Sequence, residues 1–528
     1  TKDGKLLLIA MADLNAVAVL DLKNGHVRGF VPTGWYPTDV KVTADNKSIF
    51  VANARGVLAR VPNKDAKGPD RRGANLLEGT ISMIPMSAAT TELEASTKRA
   101  LAANRLDKPA KTLKNPGIKH VIYIIKENRT YDNVYGDMPT GNSDASLCLF
   151  PREVTPNQHA LAERFVQLDN FYVCAEVSGD GWNWSTAGMA NEYVSRNVMH
   201  TYSGRGRDYD FEGLINGGRP EFMDKQDPAK PPGGYIWDLC AKNHVSYRNY
   251  GFFTGDTDEF GVGEREEDEP DNVPMKKALV PHTDVNFRQF DLSYPDSDLT
   301  AKYGLVIPNE LKSFGKKHSA SRFSEWKKEF DEFIKSGNMP KFMMVRLPRN
   351  HTVGTARGRL SPRAMAADND YAVGQVVEAV SHCRYWKDTA ICVLEDDAQS
   401  GIDHVDSHRS GALVISPFVK RGSLDSRFYN TDGMLRTIEL LLGMGPMNTY
   451  DAVADPLDVF EKEASNIDPF DAIMPAKEIA GEMNGANAYR AADSEKMMNL
   501  YEEESLPDIE LNDILYGSIL GRPLGKSK

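Results

Sequence analysis

Residues 393–410 read VLEDDAQSGIDHVDSHRS. An apolar, strand-like run, Ala390 to Leu394, passes into four aspartates, one glutamate and two histidines. Adjacent carboxylates repel, so Asp396 and Asp397 left unpaired would keep one proton between them; a divalent cation removes that conflict. Two more strand-like runs end in the same way. Val121 to Ile125 leads into Lys126, Glu127, Asn128 and Arg129, and Phe342 to Val345 leads into Arg349, Asn350, His351 and Thr352. Glu127, Asn128, Asp396 and Asp397 make a hard oxygen set suited to Ca²⁺, Mg²⁺ or Mn²⁺. His351, His404 and His408 pull the preference toward Zn²⁺, iron or Mn²⁺.

Plainer roles compete for the same residues. Glu127-Asn128 also suits a turn at a strand end, and Asp396-Asp397 also suits a helix cap. Asp403, Asp406 and Arg409 read as a surface salt-bridge cluster. His404 and His408 would share a face on a helix, whereas Gly401 argues for a loop. His382, at a helix end, reads as a dipole partner. Arg349 reads either as a contact to a substrate phosphate or as a surface charge.

These residues need a scaffold that brings three chain ends to one edge. Short apolar runs at 121–125, 245–250, 342–347, 389–394 and 412–416 alternate with helical stretches at 183–197, 234–243, 323–336 and 364–382. Phe323, Trp326, Phe330 and Phe333 lie on one face of the third of these helices. Such alternation predicts a doubly wound α/β sheet with helices on both faces. Ligands of such sheets sit beyond the carboxyl ends of the strands. The stretch 200–330 carries extra loops expected to cap that edge, and 461–528 reads as a C-terminal helical tail.

At 528 residues the chain exceeds one ordinary core. It is 41% hydrophobic and 26% charged, with a net charge of −12. No basic stripe with interleaved aromatics is present, which disfavours nucleic acid as a partner. No apolar run is long enough for a membrane span. The acidic tract 264–269 reads as a solvated loop. Five scattered cysteines include no Cys-x-x-Cys pair; Cys148 and Cys174 are the pair that would bridge in an oxidising compartment.

The first 88 residues have a different texture. Asp3-Gly4-Lys5 followed by apolar strands is echoed 42 residues later by Asp45-Asn46-Lys47 and Ser48 to Ala54. Gly79 to Pro85 supplies a late strand. A turn-and-strand unit at that period is a β-propeller signature, and the segment resembles YVTN-type blades of bacterial surface and periplasmic proteins. Fewer than two blades are visible. Further N-terminal blades or a partner chain are therefore expected to complete the ring, and a small β-meander is the alternative. Residues 89–117 read as a helix-bearing linker.

The stretch Ile118 to Gly136, IKHVIYIIKENRTYDNVYG, resembles the opening signature of the phosphoesterase family that contains bacterial phospholipases C and related acid phosphatases, within the alkaline phosphatase superfamily. Asp169-Asn170-Phe171-Tyr172 resembles its second block, and Glu395-Asp396-Asp397 with Asp403-His404 resembles its late metal block. The resemblance covers roughly 118–450, within a domain expected over 118–460. It implies a metal-dependent phosphoric-ester hydrolase with a small phosphate-ester substrate and a periplasmic or secreted location. Glu127, Asn128, Asp396 and Asp397 would bind the metal, and His404 or His408 would complete the site or protonate the leaving group. A Ser or Thr would be the nucleophile. Ser178 has the family spacing from Asp169, with Gly179 and Gly181 leaving room for phosphate. Ser185 and Thr186, expected at a helix N-terminus, are the alternatives. Asn183 stands where the family has a substrate-contacting Asn, but without its neighbouring Pro. Asn350 stands where relatives carry Asp, which puts a second metal in doubt. A catalytically decayed scaffold and a sulfatase or phosphonate hydrolase are the rival functions. No Cys-x-Pro-x-Arg sequence is present to support the sulfatase.

Overall fold

The computed structural model describes residues 1–57, 78–201, 227–256, 272–308, 319–399, 401–497 and 508–521. The acidic tract 264–269 and parts of the expected cap lie outside these residues. The chain forms two compact units: Thr1–Val61 with Arg72–Lys111, and a second that takes in Thr112–Lys528.

In the first unit, β1 (Leu6–Met11), β2 (Ala16–Asp21) and β3 (Val27–Pro32) form one antiparallel sheet. The second sheet is β4 (Pro37–Val42), β5 (Ser48–Asn53) and β6 (Thr80–Pro85), also antiparallel. The two-residue side-chain period turns Leu6, Leu8, Val17, Val19, Ile49 and Val51 into a shared core. Neither sheet closes into a ring among the described residues. The segment expected as a linker is largely part of this unit. Its helix, Leu93–Ala103, buries Leu93, Ser96 and Ala100, and the Phe30 backbone N–H donates to Thr97 Oγ1 at 2.9 Å. A side chain on Gly29 would lie 2.3 Å from Thr97 Oγ1, so only glycine lets the helix come this close.

The second unit is a mixed α/β fold. Its central sheet has the order β10-β13-β7-β14-β15, from β7 (His120–Lys126), β10 (Tyr247–Tyr250), β13 (Phe342–Leu347), β14 (Thr389–Glu395) and β15 (Ala412–Ile415). The first four are mutually parallel, and β15 runs antiparallel to β14. Small two-stranded pairs join β8 (Val166–Leu168) to β16 (Ser423–Asp425), β9 (Phe171–Tyr172) to β17 (Tyr429–Asn430), and β11 (Thr254–Asp256) to β12 (Asn272–Pro274). Every residue from Val121 to Ile125 is fully buried, as a strand covered on both faces must be.

The helical stretch expected at 183–197 is two helices, Ser178–Ala187 and Glu192–Thr201, separated after Gly188. That glycine takes φ +64° at the first helix's C-terminus. The helix Arg322–Ser336 buries Phe323, Trp326 and Phe330, with Ser321 capping its start. Within the expected C-terminal tail, Phe470, Leu511, Leu515 and Tyr516 belong to the main core. Cys148 and Cys174 are not bridged; all five cysteines are thiols.

Candidate active site at the strand ends

The central register brings three chain ends together. Leu347 of β13 and Glu395 of β14 both lie opposite Lys126 of β7, so the loops beginning at Glu127, Pro348 and Asp396 leave from one edge. Two links clip these ends. Lys126 Nζ pairs with Glu395 Oε1 at 2.7 Å and donates to Gln158 Oε1 at 2.8 Å. The Asn350 amide donates to both Glu395 oxygens and accepts from the Glu127 backbone N–H at 3.0 Å. Asn350 thus acts as a clip between strands, and Glu395 is satisfied by donors.

Helix Ser178–Ala187 meets this edge with its first residue. Ser178 Oγ donates to Asp397 Oδ2 at 2.7 Å and accepts from Asn128 Nδ2 at 3.0 Å. A side chain on Gly181 would lie 2.7 Å from the Asp396 carbonyl oxygen, so this glycine lets the helix backbone rest directly on the end of β14. Ser185 and Thr186 lie in the last turn of this helix rather than at an N-terminus. Their hydroxyls bond back to the Gly181 and Trp182 carbonyls, the common fate of hydroxyls inside helices. Asn183 donates to Gly179 O within its own helix at 3.3 Å, and its Oδ1 is buried without a partner.

Glu127, Asp396 and Asp397 are completely buried. Glu127 Oε1 accepts from Arg346 Nε at 2.9 Å, while Glu127 Oε2 and both Asp396 oxygens have no hydrogen-bond donor. Burial, and after it the charges of Asp397 and Glu127, push the Asp396 carboxyl well above the usual carboxylate range. A divalent cation fits this set: carboxylate oxygens without donors, an amide beside them, and charges that repel in the cation's absence. Three carboxylates against the single Arg346 guanidinium leave a formal charge of −2, which one divalent ion balances.

Arg346 went unrecognised in the sequence. Its guanidinium lies 4.4 Å from the Trp182 ring and 5.4 Å from that of Phe290. The available signal was a charge inside the otherwise apolar strand Phe342–Leu347, which is costly unless paired.

The other candidates make contacts of their own. Arg349 is not a surface charge: it is buried and donates to Asp368 Oδ2 at 2.9 Å. His351 Nε2 lies 3.2 Å from Gln399 Nε2, and its Nδ1 lies 3.2 Å from Thr352 O. An amide nitrogen can only donate, so His351 Nε2 is the acceptor and Nδ1 carries the hydrogen. Arg129 fixes that amide by donating to Gln399 Oε1 and to the Asn350 and His351 carbonyls, each at 2.6 Å. Thr352 is held at φ +69°, ψ 164°, a region that residues other than glycine rarely enter.

His404 engages Asp132 Oδ2 through Nδ1 at 2.6 Å and Asn142 Oδ1 through Nε2 at 2.8 Å. Asp132, Asp403 and His404 have metal-like spacing, but the chemistry argues against a cation there. Every oxygen of both aspartates already accepts from a donor, and Arg409 bonds to both carboxylates. This is a buried ionic network rather than the expected surface cluster, since Arg409 and Asp403 are both buried. His408 lies between Asp406 Oδ1 at 2.8 Å and Glu176 Oε2 at 3.2 Å. Burial lowers its pKa, but Glu176 and Asp406 outweigh that and raise it to about 10. His408 is therefore an imidazolium at neutral pH, and its partner Glu176 lies two residues before Ser178 in the chain.

No known family's sequence profile and no curated protein matches this chain. Among solved structures, an alkaline phosphatase superfamily protein from Vibrio parahaemolyticus is 17% identical with a TM-score of 0.35, covering 66% of this chain and 71% of that one. The phosphonate monoester hydrolase of Agrobacterium radiobacter is 14% identical with a TM-score of 0.34, covering 62% and 74%. The lipoteichoic acid synthase LtaP from Listeria monocytogenes is 12% identical with a TM-score of 0.37, covering 80% and 99%. Similarity at this level carries no argument about function, which rests on the site itself.

Proposed function

We propose that this chain is an enzyme, a metal-dependent phosphoric-ester hydrolase with Ser178 as its nucleophile. The observation that carries the reading is the Ser178 hydroxyl, 2.7 Å from Asp397 and 3.0 Å from Asn128 beside buried carboxylate oxygens that lack donors. Glu127, Asn128, Asp396 and Asp397 would hold one divalent cation, which when bound neutralises phosphoryl charge and lowers the hydroxyl pKa. Asn128 Nδ2 orients the Ser178 oxygen. Asp397 Oδ2 is the acceptor for the hydroxyl proton as the oxygen attacks phosphorus and the ester oxygen departs. His408, kept charged by Glu176 and Asp406, is the proton donor for that leaving oxygen. Water then releases phosphate from the serine.

The motif resemblance supports the finer reading of a phosphoesterase of the phospholipase C and acid phosphatase type, with a small soluble ester as substrate. It also supports reading the first unit as YVTN-type blades and a periplasmic or secreted location. The experiment is turnover of p-nitrophenyl phosphate with and without Mn²⁺. Activity should require the cation and fall at least about 10³-fold in Ser178→Ala, while Mn²⁺ binding persists. Full activity in Ser178→Ala would remove the nucleophile assignment. Faster turnover of p-nitrophenyl sulfate or a phenylphosphonate ester would move the substrate to the rival class.

A further inference from the structure

We propose that the C-terminal helix, Asp508–Ile519, is a positioning element for the loop that carries Asp396 and Asp397, acting through Asn512 and Tyr516; this rests on the site reading above. The loop turns sharply. Gln399 sits at φ +52°, and the Gly401 N–H closes back on Ala398 O at 2.8 Å. Such a turn directs carbonyls away from any regular ladder, and buried carbonyls need donors. The helix brings two of them from more than 110 residues away. Asn512 Nδ2 donates to Gln399 O at 2.9 Å, and Tyr516 OH donates to Ile402 O at 3.3 Å. The two residues are four apart and so share one helix face. The phenol is itself fixed, because Asn133 Nδ2 donates to it at 2.7 Å. Tyr516 therefore ties the loop after β14 to the segment that follows β7, and both segments supply proposed metal ligands.

The helix is docked firmly enough to impose a position. Leu511, Ile514 and Leu515 are completely buried. Asp513 accepts from Tyr489 OH at 3.1 Å and Arg490 NH1 at 3.0 Å. A side chain on Gly517 would lie 2.4 Å from the Tyr489 ring, so the helix seats only with glycine there. Removing a group that holds metal ligands in place typically costs about 10- to 100-fold in metal affinity. A helix that merely covered the core would affect stability alone.

The test compares the full chain with Asn512→Ala/Tyr516→Phe and with Phe330→Leu, a core substitution on the Arg322–Ser336 helix that removes none of the loop's bonds. Three quantities are read: Mn²⁺ affinity by calorimetry, kcat and KM on p-nitrophenyl phosphate, and amide hydrogen exchange across 396–404 in EDTA. The double variant should bind Mn²⁺ about 10- to 100-fold more weakly, lose kcat more than KM, and exchange faster across the loop. Phe330→Leu should lower the melting temperature with affinity and loop exchange unchanged. Unchanged affinity and exchange in the double variant, or an equal loss in Phe330→Leu, overturns the proposal. If the wild type neither binds Mn²⁺ nor turns over, the site reading fails. Exchange then decides the brace alone, faster exchange keeping it and unchanged exchange removing it.

Discussion

Asp396→Asn should make the metal-free protein more stable while abolishing its response to metal. Asp396 is buried beside Asp397 and Glu127, and neither of its oxygens has a donor. Its pKa is raised well above the ordinary 3.8 by burial and then by those two charges. The folded state thus favours the protonated acid. That favourable term is complete below pH 3.8 and is lost as pH rises toward the folded value. Keeping this carboxyl in its buried site therefore costs folding progressively more as pH rises above 3.8. An amide removes this cost but brings its own desolvation, so a gain of about 1–3 kcal/mol is expected from removing an unsatisfied buried carboxyl, larger at pH 8 than at pH 5. For a unit of this size that is a rise of roughly a few degrees in melting temperature. In the wild type, Mn²⁺ at 100 times its Kd should add about 2.7 kcal/mol; in the variant it should add almost nothing. The assay is urea denaturation in EDTA and in Mn²⁺, followed by tryptophan fluorescence. Five of the six tryptophans lie in the second unit, so the signal reports the unit that holds the site. A variant less stable than the wild type in EDTA, or one that gains as much from Mn²⁺, refutes the reasoning.

Three further outcomes follow from the same geometry. Arg346→Met leaves Glu127 buried without its counter-charge and should cost about 3–5 kcal/mol in EDTA, with part of the loss restored by Mn²⁺; equal losses with and without the ion would separate Arg346 from the site. His408→Gln should slow phenyl phosphate hydrolysis about 10²-fold or more and p-nitrophenyl phosphate hydrolysis far less, because a good leaving group needs no proton; equal slowing of both esters would rule out proton donation. Glu439, raised to about 9 by burial and then by Asp451, favours the folded state fully below pH 4.5 and loses that contribution as pH approaches 9. Glu439→Gln should therefore flatten the fall in denaturation midpoint between pH 6 and pH 9, and parallel slopes in the two proteins would count against it.

The local pattern of apolar runs was enough to place the four parallel strands of the central sheet. Val121 to Ile125 and Ala390 to Leu394 are continuous apolar runs flanked by polar residues, as in short strands buried on both sides. That in turn put Glu127, Asn128, Asp396 and Asp397 at strand ends. The direction of β15 was not readable, because a short apolar strand looks alike in either orientation. The break at Gly188 was hidden for a similar reason: a glycine inside a helical pattern is tolerated or terminal depending on the φ it takes.

What the sequence by itself determined, then, was the type of each strand, its length and the chemical character of its end. Tertiary structure alone decided which charges remain uncompensated. Arg349, read as a surface charge or a phosphate contact, is paired with Asp368; Arg409, read as part of a surface cluster, is buried between Asp403 and Asp132; and Lys126 is paired with Glu395. Arg346, ignored as a strand residue, became the counter-ion of Glu127. The C-terminal helix, read as a tail, became a partner of the Asp397 loop. The reason is physical. Strand propensity and hydrophobic period are local and are written every few residues, whereas a buried charge is settled by whatever the fold brings within about 3 Å of it.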